Sequence, residues 1–184
     1  MIITIGGLPG SGKSTAAKYL AKELGMKHYS IGDLRRKMAM EREMTIEELN
    51  KLGEKEAWTD KDADKFQIDL GKKEDNFVID GRLSWHFIPN SIKLFVKADL
   101  KKTAERVFKN QRKSEKKYKN AAEVVDEMKE RINSDVKRYK KYYGIKNVYD
   151  MKNYDIVINT SRLSIEQMNR KVLGSILAFK KKAS

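Results

Sequence analysis

Five short stretches that read as strands alternate along this chain with longer ones in which apolar residues return every three or four positions. Ile2-Ile3-Thr4-Ile5, Phe77-Val78-Ile79-Asp80 and Ile92-Lys93-Leu94-Phe95-Val96 are nearly continuous apolar runs. Runs without polar-apolar alternation predict parallel strands buried on both faces. His28-Tyr29-Ser30 and Tyr154-Asp155-Ile156-Val157-Ile158-Asn159 complete the set. Between them, Ala16, Ala17, Leu20, Ala21 and Leu24 share one face of a helix that closes at Gly25. Gly32-Asp33 opens a second helix through Leu34, Met38 and Ala39, and Thr45-Ile46-Glu47-Glu48 resembles a capping box ahead of a third, running to about Gly53. Further helices are predicted over 60–73, from a cap at Asp99 to about Gln111, through Val124, Val125, Met128, Ile132 and Val136, and from Ser164 onward, where Met168, Val172 and Ile176 are buried. Strands alternating with helices predict an α/β fold, a five-stranded parallel sheet flanked by helices, with ligands bound along the edge formed by the strand carboxyl ends.

The first strand runs directly into Gly7-Leu8-Pro9-Gly10-Ser11-Gly12-Lys13-Ser14-Thr15. This is the phosphate-binding pattern G-x-x-x-x-G-K-[ST], set in the strand-loop-helix frame that the pattern requires. Its glycines let the backbone wrap closely around an anion, and the following helix adds the positive end of its dipole. Lys13 supplies a full charge and Ser14 a hydroxyl for Mg²⁺. A glycine- and lysine-rich surface turn has no reason to keep this order, so the loop is expected to hold a nucleoside triphosphate.

At 184 residues the chain suits one domain with a sizeable core. No apolar run is long enough to span a bilayer, and the amino terminus reads as a buried strand rather than a leader. Without cysteine there is neither a disulfide framework nor a thiolate zinc site. A soluble cytoplasmic protein without a membrane partner is therefore expected, and a monomer is expected with it. His28 and His86 are isolated in sequence, so a histidine metal site is not expected. The formal net charge is +14, and between Leu100 and Tyr143 fifteen Lys or Arg stand against seven Asp or Glu. Such a balance fits nucleic acid, an acidic membrane surface or a highly charged small ligand, and does not choose among them. Arg112 to Asn120 is charged and nearly devoid of apolar residues, which reads as an exposed, mobile excursion.

A phosphate loop does not say what receives the phosphoryl group. Arg36 in the second helix, Arg82 directly after the strand ending at Asp80, and Arg131 with Arg138 on one long helix are candidates for a second anion site. A planar guanidinium grips phosphate oxygens through two parallel bonds, so a small phosphorylated acceptor is a natural reason for several to converge. Here the sequence resembles the nucleoside monophosphate kinases, and in particular the archaeal type of cytidylate kinase. The resemblance is carried by the phosphate loop, Ser30-Ile31-Gly32-Asp33-Leu34-Arg35-Arg36, Asp80-Gly81-Arg82-Leu83, Arg131-x-x-x-Asp135-x-x-Arg138-Tyr139, Tyr143-Gly144-Ile145 and Tyr154 to Ser161, over nearly the whole chain.

The resemblance implies one phosphate-loop kinase domain over residues 1–184, with acceptor-binding helices over about 30–73 and a small lid over about 109–122. It implies ATP as donor, Mg²⁺ as cofactor and CMP or dCMP as acceptor, by direct in-line transfer, with no stable nucleic-acid partner. Gly7 to Thr15 and Arg106 would bind ATP, Arg106 lying against the adenine. Ser14 would ligate Mg²⁺, and Asp80 would orient it through water. Arg36 and Arg82 would hold the acceptor phosphate, Ser30 and Gly32 would belong to the substrate-binding set, and Arg131, Asp135 and Arg138 would line the acceptor pocket. Arg112 would be the lid arginine that reaches the transferring group, beside Lys13, Arg36, Arg82 and Arg131 in catalysis. Arg35 stands next to Arg36 and is chemically able to replace it. Asp60, Asp64 and Gln67 share one helix face where a base could be read, and either Asp reads equally as a solvated helix position. Trp58 and Trp85 read as packing residues. A kinase preferring AMP or UMP, an RNA-associated phosphate-loop NTPase and a small-metabolite kinase remain the competing readings.

Overall fold

The strands are β1 (Ile2–Gly7), β2 (Lys27–Ser30), β3 (Phe77–Asp80), β4 (Ile92–Lys97) and β5 (Ile156–Asn159). In the computed structural model, which describes residues 1–111 and 117–183, they form one parallel sheet in the order β2-β3-β1-β4-β5. β1 is central and all six of its residues are buried, as its unbroken apolar run requires. Ile3 and Ile5 face one side with Val78, Leu94, Val96 and Ile158, against the helices α1 (Lys13–Glu23) and α8 (Ile165–Ala183). Ile2, Phe77 and Ile79 face the other, against α2 (Ile31–Met40), α3 (Ile46–Gly53) and α4 (Trp58–Lys73).

Four further helical segments complete the chain: α5 (Ser84–Phe87), α6 (Leu100–Lys109), α7 (Ala121–Tyr143) and a single 3₁₀ turn at Met151–Asn153. The anticipated caps form. Thr45 and Glu48 make a reciprocal capping box, Asp99 Oδ1 accepts from Lys102 N, and Gly25 and Gly144 adopt the left-handed conformation just past α1 and α7. None of the helices among the described residues is long and apolar enough to cross a membrane.

Two readings differ from the sequence pattern. Tyr154 is not part of the last strand: it closes the 3₁₀ turn, and its ring enters the space left by Gly6, where a Cβ would stand 2.2 Å from its hydroxyl. Trp58 is not packed away. It is 36% exposed, with the Arg42 guanidinium 4.9 Å over its ring. Trp85 does pack, against Tyr154 and His86.

Candidate active site

The loop between β1 and α1 turns through Gly10 at φ 68° and Gly12 at φ 94°, left-handed geometry that glycine adopts without a Cβ penalty. Pro9, Gly10, Gly12, Lys13, Ser14 and Thr15 face a cleft of about 370 Å³. Gly7, Leu8 and Ser11 shape the loop from behind. Leu8 O accepts from Ser11 N at 3.2 Å and from Lys13 Nζ at 3.3 Å. The free N–H groups of the first turn of α1 make this end a natural anion site. Burial, and after it the nearby Arg82 charge, lower the Lys13 ammonium to about 7.

The donor end of the cleft is closed by the loop after β5. Thr160 Oγ1 donates to Ser11 O at 3.1 Å, and Arg106 Nη2 donates to Thr160 O at 2.9 Å and more weakly to Ser161 O and Leu163 O. Arg106 is thereby tied to that loop, and it lines the cleft with Val107, Asn110 and Gln111. Gln111 Oε1 accepts from Tyr118 N at 2.8 Å, tying the start of the excursion between α6 and α7 to its end. Arg112 lies outside the described residues.

Asp80, at the end of β3, is 2% exposed and collects three partners. Ser14 Oγ donates to it at 2.7 Å, Ser30 Oγ at 3.3 Å, and His28 Nε2 lies 2.8 Å from its other oxygen. Ser30 thus turns away from the cleft to cap α2 and bond Asp80, whereas Gly32 lines the cleft. His28 had no signal in the sequence beyond strand register. It stands two residues before Ser30, on the same face, and Ser30 pairs with Asp80.

The acceptor end contains Arg36, Arg82 and Arg131. Arg36 is ion-paired to Asp33 on its own helix. Asp135 and Arg138, expected to line the pocket, are both 0% exposed and stand behind it. Asp135 takes Arg82 Nε at 2.6 Å on one oxygen and Arg138 Nη2 at 2.8 Å on the other, and accepts from Tyr149 as well. Arg138 Nη1 continues to both oxygens of Asp60, at 3.0 and 2.8 Å. Arg35 completes the chain, bonding Asp60, Thr59 O and Asn50. Arg35 and Arg36 are therefore not interchangeable: the first braces Asp60 and the second faces the cleft mouth.

Three arginines, Arg35, Arg82 and Arg138, thus share two carboxylates, leaving excess positive charge beside Arg36, Arg131 and Lys13. Burial disfavours ionisation of Asp135, but Arg82 and Arg138 outweigh it and hold the carboxyl below its ordinary value. Burial likewise opposes the Arg82 charge, and Asp135 overcomes this, so Arg82 stays a cation at any working pH.

The three residues of the α4 face separate. Asp60 is committed to the arginines. Gln67, 1% exposed, donates to Ala63 O and accepts from Ser84 Oγ at 2.7 Å. Asp64 lines the cleft and accepts from the hydroxyl of Tyr143.

Solved structures place this architecture. A shikimate kinase from Bacteroides thetaiotaomicron matches with a TM-score of 0.64 over 96% of this chain and 98% of that one, at 15% identity. An uncharacterized protein from Eubacterium ventriosum gives 0.70 over 96% and 98%, at 22% identity. The class is thus the phosphate-loop kinase fold. Sequence likeness is more specific. The cytidylate kinase-like family model matches residues 2–162. The cytidylate kinase of Methanocaldococcus jannaschii is 37% identical over 186 residues, covering 98% of this chain and 100% of that protein. That of Pyrococcus horikoshii is 39% identical over 167 residues, covering 90% and 83%. The chain belongs to the cytidylate kinase-like family.

Proposed function

We propose that this protein transfers the γ-phosphoryl group of ATP to the phosphate of CMP, with dCMP as a second acceptor. The observation that carries this reading is that the phosphate loop and Arg36, Arg82 and Arg131 line one and the same cleft. Two anion sites in one cleft allow donor and acceptor phosphates to meet in line. The choice of cytosine rests on the relatives that bear the name cytidylate kinase.

The Ser14 hydroxyl and Asp80 carboxylate are hard oxygen donors 2.7 Å apart at the edge of the loop. That pair fits Mg²⁺, which keeps much of its shell as water and substrate phosphate. Ser14 would ligate it and Asp80 would hold it through water; when bound, it neutralises phosphate charge. Lys13 and the first turn of α1 neutralise the donor from the protein side. Arg82, fixed by Asp135, and Arg36 orient the acceptor phosphate, and Arg131 lines the same cleft. Arg106 lies along the donor base. Because phosphoryl transfer is governed by alignment and charge stabilisation, this arrangement needs no general base with a special pKa. The lid expected over about 109–122 includes residues 112–116, which lie outside the described residues.

The test is ADP release from Mg²⁺-ATP with CMP, dCMP, UMP and AMP supplied in turn. The expected order places CMP first in kcat/KM, with dCMP next. A preference of more than about tenfold for UMP or AMP would contradict the assignment of cytosine.

A further inference from the structure

Asp60, Asp64 and Gln67 share a helix face in the acceptor half of the cleft, and their hydrogen bonds leave them in unequal states. Asp60 has both oxygens on Arg138 and one also on Arg35. Both ends of the Gln67 amide are used within the protein. Asp64 differs: Tyr143 donates to Oδ2, while Oδ1 has no hydrogen bond among the described residues. One oxygen is thus anchored and the other is available to a ligand.

We propose that the Asp64–Tyr143 pair reads the 4-position of the acceptor pyrimidine, and that the proton on Asp64 sets the choice between a 4-amino and a 4-oxo base. This rests on the monophosphate kinase reading given above. A carboxylate Oδ1 only accepts, so it takes an N–H from a 4-amino group and repels a 4-oxo group. A protonated carboxyl carries an O–H, which donates to a 4-oxo oxygen and removes that repulsion. Discrimination between the two bases therefore changes with the state of a single proton, while the phosphate-binding arginines treat both acceptors alike.

The surroundings place that proton in the working range. Burial raises the Asp64 carboxyl to about 7, against the opposing hydrogen bond from Tyr143. Asp60 on the same helix raises it too, whereas Arg35 on α2 and Arg138 on α7 lower it. Tyr139 and Tyr143 on α7 remain neutral, both raised by burial. His86 on α5, whose ring stands 6.2 Å from that of Tyr143, is lowered by burial and stays largely uncharged at neutral pH. Asn50 brings no charge from α3, and Arg36, Arg82 and Arg131 lie in the same cleft.

The experiment is the ratio of kcat/KM for CMP to that for UMP, from pH 5.5 to pH 8, in the wild type, Asp64→Asn and Tyr143→Phe. Acceptor phosphate, Lys13 and donor ionisations are common to both substrates and cancel in the ratio. The wild-type ratio is expected to rise about tenfold with pH, on the scale of one charge-assisted hydrogen bond. In Asp64→Asn the ratio is expected to be low and flat, with ATP affinity and melting behaviour of a folded protein. In Tyr143→Phe, which loses the donor that favours the carboxylate, the midpoint is expected to move to higher pH. A flat wild-type ratio alongside brisk CMP turnover would overturn this inference and leave the kinase reading standing. So would an Asp64→Asn ratio that still follows pH. Turnover with neither acceptor would overturn both.

Discussion

Lys13 illustrates the conflict a single residue can hold. Its ammonium sits in the cleft floor beside Arg82, and burial with that like charge lowers it to about 7, so the empty protein bears the cost of keeping it there. Since the folded state holds the proton less tightly than the unfolded chain, the unfolded chain binds more protons between about pH 7 and the ordinary lysine value near 10.4, and stability rises with pH across that window. Lys13→Met is therefore expected to raise the melting temperature of the ligand-free protein at pH 7, by roughly 2–4 °C per kcal/mol recovered. The gain should shrink toward pH 10, and turnover should be lost. Calorimetry of the two proteins across that range checks it; a variant that melts below the wild type at pH 7 would contradict the account. The stability–activity trade-off then lies in one identifiable charge.

Among the elements, α7 does most to assemble the acceptor half. Through Asp135, Arg138, Tyr142 and Tyr143 it reaches the segment carrying Arg82, then α4, and finally the end of α3, where Tyr142 donates to Gly53 O at 3.0 Å. Gly53 makes this approach possible, since a Cβ there would stand 2.7 Å from Thr59 Oγ1 and 3.0 Å from Arg138 Nη1. Neither neighbour is a loose surface group, because both residues are 0% exposed. Gly53→Ala is thus expected to cost about 1–3 kcal/mol as overpacking, exceeding the helix propensity that alanine gains. It is also expected to raise KM for CMP more than KM for ATP, because Arg138 braces only the acceptor side. Urea unfolding with a paired KM measurement checks this; unchanged stability together with an unchanged KM for CMP would show that α7 and α3 do not need this contact.

At the scale of the whole molecule, what the sequence made legible was local. The phosphate loop occupies nine consecutive residues between a strand and a helix, and the caps at Thr45, Asp99 and Gly25 involve neighbours a few positions apart. The parallel sheet followed from strand-helix alternation. What was hidden depends on distant partners. Arg138 meets Asp60 across 78 positions, Tyr143 meets Asp64 across 79, and His28 meets Asp80 across 52. Composition cannot reveal such pairs, so Asp135 and Arg138 were expected at the pocket surface when they form the support behind Arg82. Equally, nothing in the one-dimensional pattern separates Asp60 from Asp64, since both lie on the same helix face and only the third dimension brings guanidinium groups to the first.

The central claim is that one cleft binds a donor and an acceptor phosphate and joins them. It is tested most directly by incubating the protein with ATP labelled at the γ-phosphorus, Mg²⁺ and CMP, and resolving where the label goes. Label is expected in CDP, with little in inorganic phosphate, and the CDP signal is expected to be lost when Lys13 is replaced by alanine. Label appearing only as inorganic phosphate, at a rate that CMP does not change, would contradict it.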